Sequence, residues 1–357
     1  MSRTPEDLSF VQAVRKRPAM YLGSTTIRGV YLLLRQFVRY AVTVANSDNF
    51  TFEILDGRSG RISLHVPDGP MDESVFTDPP YGEWSGRSVD YELAALNAIC
   101  STFHVRQKNL ETGDIREVRF AQGYKAVVSS QALKAGLTTV EIEFKIDESI
   151  VSPDESFDWN PLLEVFRTLA YLYAGKSLRV IYETNGDAGE AIFRFEHGLA
   201  DLVDLQRLYE HAEPQFATTI EHDFDEFSID LALYFRGNSV DMPYLISFVN
   251  EERSMEDGTH VEGVLKGVLA ALIHFQKESA DSVDGTMTIG GLSRLLVAAV
   301  HLRMDRPMYE GAIKGKVVSR NIVGPISNHV GEAMLTRLRT EPERAIDLVK
   351  MVVRLSK

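Results

Sequence analysis

The sequence predicts an α+β fold in two domains, and three observations predict it. At 357 residues the chain is longer than the roughly 100–200 residues of an ordinary domain. Short runs of alternating apolar and polar residues, joined by turn residues, have the pattern of antiparallel hairpins. Longer segments with apolar residues three and four apart have the pattern of amphipathic helices.

In chain order, residues 6–16 predict a helix ended by Pro18, and residues 29–45 a longer helix. Residues 50–55 and 61–66 predict strands around the turn DGRSG. Residues 67–88, rich in proline and glycine without periodicity, predict a long loop, a class that is usually functional or disordered. A helix through residues 91–99 precedes strands at 103–109, 115–122 and 138–146, with ETGD as the turn between the first two. Residues 161–175 predict a helix with a glycine stop, leading into a strand at 177–183. The acidic, turn-rich stretch 210–227 marks a change of composition, which places the domain boundary near Glu213: domains 1–212 and 213–357. The second domain predicts strands at 227–235 and 244–250, a helix at 260–279, a strand at 292–304 and helices from about Ser319 and Glu341. A crossover is expected wherever two of these strands run parallel.

Composition narrows the function. Hydrophobic residues at 44% and charged residues at 25% exclude a disordered or fibrous chain. A net charge of -13 disfavours wrapping of a polyanion, so direct sequence-specific nucleic-acid binding is not expected. The single cysteine, Cys100, lies in an apolar helical stretch and reads as a core residue, with no disulfide framework. The N-terminus lacks an apolar signal core and no apolar run reaches the ~20 residues of a membrane span, so a cytoplasmic protein with no membrane partner is expected. His222, Asp223 and Asp225 form a carboxylate-rich cluster that reads as a charged linker or edge strand and not as a metal site. Thr259 reads as the N-cap of the helix that follows.

The strongest local signal is VRKRPAMYLG, Val14 to Gly23. It resembles the VRKRPxMYIG segment that opens the ATPase region of gyrase B and topoisomerase IV subunits. Ser247 to Leu269 is similar to that family's transducer segment with its GGTHxxGF core. LTTVEIEFKI resembles the strand carrying the family's GT-V-F pattern, and Asp305 to Val317 resembles its PxPxFEGQTKxKL loop. The likeness runs through nearly the whole chain. It implies a GHKL-type α/β sandwich followed by a transducer domain with a mixed sheet and a βαβ crossover, without the metal-binding and DNA-cleavage regions of a full-length family member. The family closes as an arm-swapped dimer, but the arm before Val11 is short, which puts the swap in doubt.

Set against the family's needs, the nucleotide site is degenerate. Where the family's long helix reads EVVDNAxDEA, this one reads QFVRYAVTVA, with Gln36 at the base position, Arg39 beside it and Tyr40 at the metal-binding asparagine. An amide does not accept a water's proton, and a phenol is a poor magnesium ligand. An ordinary amphipathic helix, with Leu33, Phe37, Val38, Ala41 and Val44 on or near the core face, accounts for the same residues. The family's DDGRGIP loop becomes VPDGPMD, leaving Pro67 at the adenine-reading position and Asp68 and Gly69 as remnants; PDG is also a turn sequence in its own right. In place of the glycine-rich lid stand Gly82 and Gly86 with Glu83, Trp84, Arg87 and Asp90. Thr138 aligns with the adenine-side threonine and Lys314 with the phosphate-sensing lysine, although strand and solvated-loop roles suffice for both.

The resulting expectation is a gyrase B-like pseudoenzyme that does not hydrolyse ATP and acts as an interaction or regulatory protein, with no catalytic residue retained, no metal and no cofactor. Its partner is a second copy or a topoisomerase subunit. The competing expectation is an ATP- and magnesium-dependent topoisomerase fragment whose ligands have shifted to Asp68, Arg87 and Lys314.

Overall fold

The computed structural model describes residues 9–77, 91–129, 132–184, 187–211, 214–239, 243–279, 283–311 and 315–357. Contacts divide the chain into two compact units, Met1–Glu196 and His197–Lys357.

In the first unit, Ser9 and Gln12 form a reciprocal capping box at the start of α1 (Phe10–Lys16). Pro18 does not only end this helix; it opens α2 (Pro18–Leu22) from the first helical position, where a missing N–H removes no bond. Arg15 of α1 donates to the Ala98 carbonyl at 2.9 Å and pairs with Asp147 at 2.5 Å, which ties this helix to the sheet. After α3 (Ile27–Thr43) come the hairpin β1 (Asn49–Ile54) and β2 (Ser59–Val66), a 3-10 turn (Glu73–Phe76) and α4 (Tyr91–Ala98). The unit continues with β3 (Cys100–Asn109), β4 (Ile115–Ala121), β5 (Tyr124–Val128), β6 (Thr138–Ile146), α5 (Trp159–Leu172), β7 (Ser177–Thr184) and β8 (Asp187–Phe193).

These strands make one sheet in the order β5-β4-β3-β6-β2-β1-β7-β8, antiparallel except where β1 runs parallel to β7. Along β1, β2 and β6 buried residues alternate with half-exposed or exposed ones, so one face of the sheet is covered. Helices provide the cover. Phe37 of α3 stands 5.7 Å from Phe50 of β1, and Phe50 stands 5.9 Å from Phe166 of α5.

The second unit opens with α6 (Leu199–Glu210), β9 (Pro214–Asp223), β10 (Phe227–Arg236), β11 (Tyr244–Val249) and the short β12 (Glu252–Arg253). It continues through α7 (Thr259–Glu278), α8 (Ile289–Ser293), β13 (Leu296–Met304), a 3-10 turn (Arg320–Ile322), α9 (Val323–Thr340) and α10 (Pro342–Leu355). The sheet order is β12-β11-β13-β10-β9. β11 and β13 are parallel neighbours with α7 between them in sequence, which is the expected βαβ crossover. β10 and β13 are buried almost throughout. Ile229, Leu231, Leu233 and Phe235 of β10 share a core with α7, α9 and α10. Arg236 of the same strand bonds Glu210 of α6 through two nitrogens, at 2.5 and 2.7 Å.

That ion pair is why α6 belongs with the second sheet. The composition change near Glu213 lies after this helix, whereas the contacts divide the chain between Glu196 and His197. The strand expected from residue 292 begins at Leu296, because Thr288 caps a short helix first. Within 210–227, read as turn-rich, residues 214–223 form β9 at the edge of the sheet. Val44, placed near the core face of α3, is 57% exposed, since the helix ends at Thr43. Thr259 is the first helical residue of α7 and not its cap; Gly258 takes that position.

The backbones of α7 and α9 approach closely at Gly267, where an added Cβ would stand 2.6 Å from the Ser327 carbonyl oxygen and 3.1 Å from the Gly331 nitrogen. Alanine is the better helix former by about 1 kcal/mol, but a clash with two backbone atoms outweighs that gain. Gly267→Ala is expected to destabilise the second unit by about 1–3 kcal/mol in urea unfolding. A raised midpoint would contradict this packing.

Candidate functional site

The amphipathic pattern of α3 places Gln36 and Tyr40 one turn apart on the same side of the helix. Phe37 between them is fully buried and fixes the helix against the sheet. Tyr40 is buried. Gln36 is half-buried, and its Oε1 is sealed from solvent with no hydrogen-bond partner among the described residues. Arg39 is half-buried, and its carbonyl accepts a bond from the Thr43 hydroxyl at 2.8 Å.

The second group of expected residues gathers where β2 ends and β6 begins. Val66 pairs with Thr138, so Pro67 and Asp68 leave the sheet beside Thr138. Pro67 and Asp68 are exposed. Gly69 is buried at φ +126°, and a Cβ there would meet the Ala135 Cα at 3.3 Å; the turn demands glycine on both counts. Thr138 is fully buried and its hydroxyl donates to the Gly136 carbonyl at 3.0 Å, within its own turn. No hydrogen bond among the described residues links Gln36 to Asp68 or Thr138.

Polar residues on the buried face of β3 hold these loops. Gln107 accepts from the Met71 nitrogen at 2.8 Å and donates to the Met71 carbonyl at 3.0 Å, satisfying the loop backbone from both sides. Asn109 donates to the Lys134 carbonyl at 3.2 Å and accepts from the nitrogens of Glu111 and Thr112 at 2.9 Å. Glu73 accepts from Arg116 and, at 2.9 Å, from Lys125. Burial pushes the Glu73 carboxyl up, but the bonds from Arg116 and Lys125 outweigh it and hold the group below the usual carboxylate range. Asn97 of α4 is fully buried and donates to the carbonyls of Phe76 and Gly123, at 2.7 and 3.2 Å.

Sequence reading passed over Gln107, Asn109, Asn97 and Glu73. The signal was present for two of them: Gln107 and Asn109 continue the inward-facing set Phe103, Val105 of β3, where a polar residue needs a bonding partner. Cys100 is buried, donates to the Leu96 carbonyl at 3.0 Å, and burial pushes its thiol up, which suits a core residue. Gly82, Glu83, Trp84, Gly86, Arg87, Asp90 and Lys314 lie outside the described residues.

A cavity of about 1170 Å³ lies elsewhere in the first unit, between the N-terminal half of α3 and α5, with Tyr31, Arg35, Phe157, Trp159 and Tyr182 among its walls. Gln36, Tyr40, Asp68 and Thr138 do not line it. Three of its carboxylates serve the backbone: Asp56 accepts from Arg58 and Ser59, Glu155 from Ile27 and Asp158 from Asn160. Among the described residues no group of three His, Cys, Asp or Glu side chains could hold a metal. His222 stacks on His329, ring centroids 3.9 Å apart. No helix of the described residues is long and apolar enough to cross a membrane.

The sandwich with its loop-end site, followed by a mixed sheet with a crossover helix, has counterparts among known proteins. Residues 198–357 match the model of the DNA gyrase B family. The whole chain resembles the ATPase and transducer region of the gyrase and topoisomerase IV B proteins. It is 26% identical to the B subunit of DNA topoisomerase 4 from Enterococcus faecalis over 97% of its length, and 25% identical to the B subunit of DNA gyrase from Streptococcus pyogenes over 98%. It spans 54% and 57% of those two proteins, about half of each. The fold is that of the 43K ATPase domain of Thermus thermophilus gyrase B, solved with an aminocoumarin: TM-score 0.76, 20% identity, covering 98% of this chain and 95% of that one. The B-subunit of the DNA gyrase from Myxococcus xanthus superimposes with a TM-score of 0.74 at 19% identity, over 96% of this chain and 99% of that one.

Two substitutions test the loop geometry and the α3 flank. Gln107→Leu strands both backbone groups of Met71 in the interior and is expected to cost about 2–4 kcal/mol in urea unfolding, with faster amide exchange confined to residues 67–72. Gln36→Met removes an acceptor with no partner among the described residues and is expected to be neutral or stabilising by about 1 kcal/mol; a destabilisation larger than that would show that Oε1 has a partner.

Proposed function

We propose that this chain is a gyrase B-like ATPase and transducer module that does not hydrolyse ATP and acts as an interaction or regulatory protein. One observation carries the reading. α3 presents the Gln36 amide and the Tyr40 phenol at the positions where the family resemblance places the general base and the magnesium-binding asparagine. A carboxamide does not take a proton from water near neutral pH. Magnesium holds oxygen ligands in a tight octahedron, a demand that a buried tyrosine side chain does not meet. These residues therefore do not fit the metal. Asp68, Gly69 and Thr138 keep the shape of the adenine end without its carboxylate, Pro67 standing in that place; Lys314 is the remaining candidate for phosphate contact. ATP and magnesium are accordingly not cofactors of this chain in the proposed reading.

The partner in this reading is a topoisomerase subunit, met in the cytoplasm, or a second copy of the chain. The likeness to topoisomerase IV and gyrase B proteins over 97% and 98% of the chain supports it. Two measurements test the proposal. In a magnesium-dependent assay the expected result is no ATP turnover above background, and in calorimetry with a non-hydrolysable ATP analogue no binding tighter than about millimolar, a free energy of roughly −4 kcal/mol. Turnover that disappears in Lys314→Ala would overturn it. Co-purification of a gyrase or topoisomerase IV subunit in a pull-down is the expected positive result.

A further inference from the structure

We propose that the N-terminal end of α7 is an acid-sensitive latch, in which His260, buried beside the contact between Thr259 and Val317, keeps the backbone around Val317 closed onto the helix only while its ring is neutral. The geometry comes first. His260 is 0% exposed, and neither ring nitrogen has a hydrogen-bond partner among the described residues. Its ring folds back over the helix start, where a Cβ on Gly258 would lie 2.9 Å from Nδ1 and 2.9 Å from the Val317 carbonyl oxygen. That carbonyl accepts from the Thr259 nitrogen at 2.9 Å and from the Thr259 hydroxyl at 3.4 Å, so the chain's return to the helix at Val317 is what shuts the histidine in.

Among the described residues no carboxylate bonds the His260 ring: Asp257, the nearest acid before it, is exposed, and Glu251 is buried with interactions of its own. On its own helix Glu262 is held by Lys266 and Arg320, each at 2.8 Å. Before Val317, Glu310 is held by Lys316 at 2.8 Å, and burial, together with Glu252 and Glu251, pushes Tyr309 up to about 12, so it stays neutral. On the sheet Asp230 is committed to Arg303 through two bonds, and His301, itself buried, donates from Nε2 to the Asn250 carbonyl at 2.9 Å and disfavours a charge on the His260 ring. Burial first, and then His301, lower the His260 pKa to about 4.

A histidine whose closed-state pKa of about 4 lies below its free value of 6.5 contributes full stability above pH 6.5 and loses it as pH falls toward 4. For one proton the open-to-closed ratio at pH 5 rises about 30-fold over its value at pH 7.5.

Hydrogen exchange of the full chain, with exchange times scaled for the intrinsic effect of pH, tests the latch. Peptides covering 257–262, 305–311 and 315–320 are expected to exchange about 30-fold faster at pH 5 than at pH 7.5, while those from α10 keep their protection. His260→Phe, which fills the site and takes no proton, is expected to abolish the difference. Equal scaled exchange at the two pH values overturns the proposal, as does a pH effect that survives in His260→Phe. Loss of protection throughout α9 and α10 also overturns it, since the whole unit is then opening. If the variant does not fold, the ring resonances of His260 in the wild-type protein decide: a midpoint near 4 supports the latch, and one near 6.5 sinks it.

Discussion

Phenylalanine rings form a continuous seam through the first unit, and the position of the candidate residues on α3 follows from it. Phe37 meets Phe50, Phe50 meets Phe166, Phe166 meets Phe52, and Phe52 meets Phe144, which in turn meets Phe103, at centroid separations of 5.7 to 6.3 Å. Large apolar rings at this spacing supply both buried area and a preferred geometry, so α3 has one rotational setting on the sheet. Because Phe37 points inward, its neighbour Gln36 is carried to the flank and Tyr40 follows one turn on. The seam thus sets which side chains stand on that flank, and here they are an amide and a phenol.

The loops at the ends of β2 and β6 are held differently. Their conformation depends on side chains that belong to neighbouring strands, with Gln107 on Met71, Asn109 on Lys134 and the Arg116 and Lys125 pair on Glu73. Gln107, Asn109 and Glu73 are buried, where an unpaired amide or carboxylate is costly, so the bonds act as a set of constraints and not as surface decoration. A site whose walls are supported in this way keeps its shape when its reactive residues are exchanged. That separation of scaffold from chemistry is consistent with a fold at TM-score 0.76 to a gyrase B ATPase domain at only 20% sequence identity.

In the second unit close helix packing sets the terms. α7 and α9 touch through glycines, which brings the α7 start against the backbone around Val317 and buries His260 without a bonding partner among the described residues. The same packing explains the large proportion of β10 and β13 that is hidden from water, and with it the core of apolar residues from Phe216 to Val353.

How much of this was legible depended on range along the chain. Periodicity, capping and turn chemistry are local, so α3, α5, α7, the β1–β2 hairpin, the strands β3, β4 and β6 and the two C-terminal helices could be read from it, and the crossover between β11 and β13 followed from their order. The helix α6 carried a readable signal, Leu199 and Val203 at helical spacing after Gly198, yet it was passed over for the acidic stretch beyond it. β8 and β5 were missed because edge strands bury little and show weak alternation; every residue of β5 is exposed. By itself the sequence determined which residue types stand on the helices and in the loops, and hence that no carboxylate occupies the flank of α3 at Gln36 and Tyr40. Only the tertiary structure decided that Gln107 grips Met71, that Glu210 pulls α6 onto the second sheet, and that His260 is shut in by the return of the chain at Val317. Those contacts join residues 26 to 58 positions apart, and nothing in a local pattern reports which distant group will arrive to satisfy a buried polar atom or fail to.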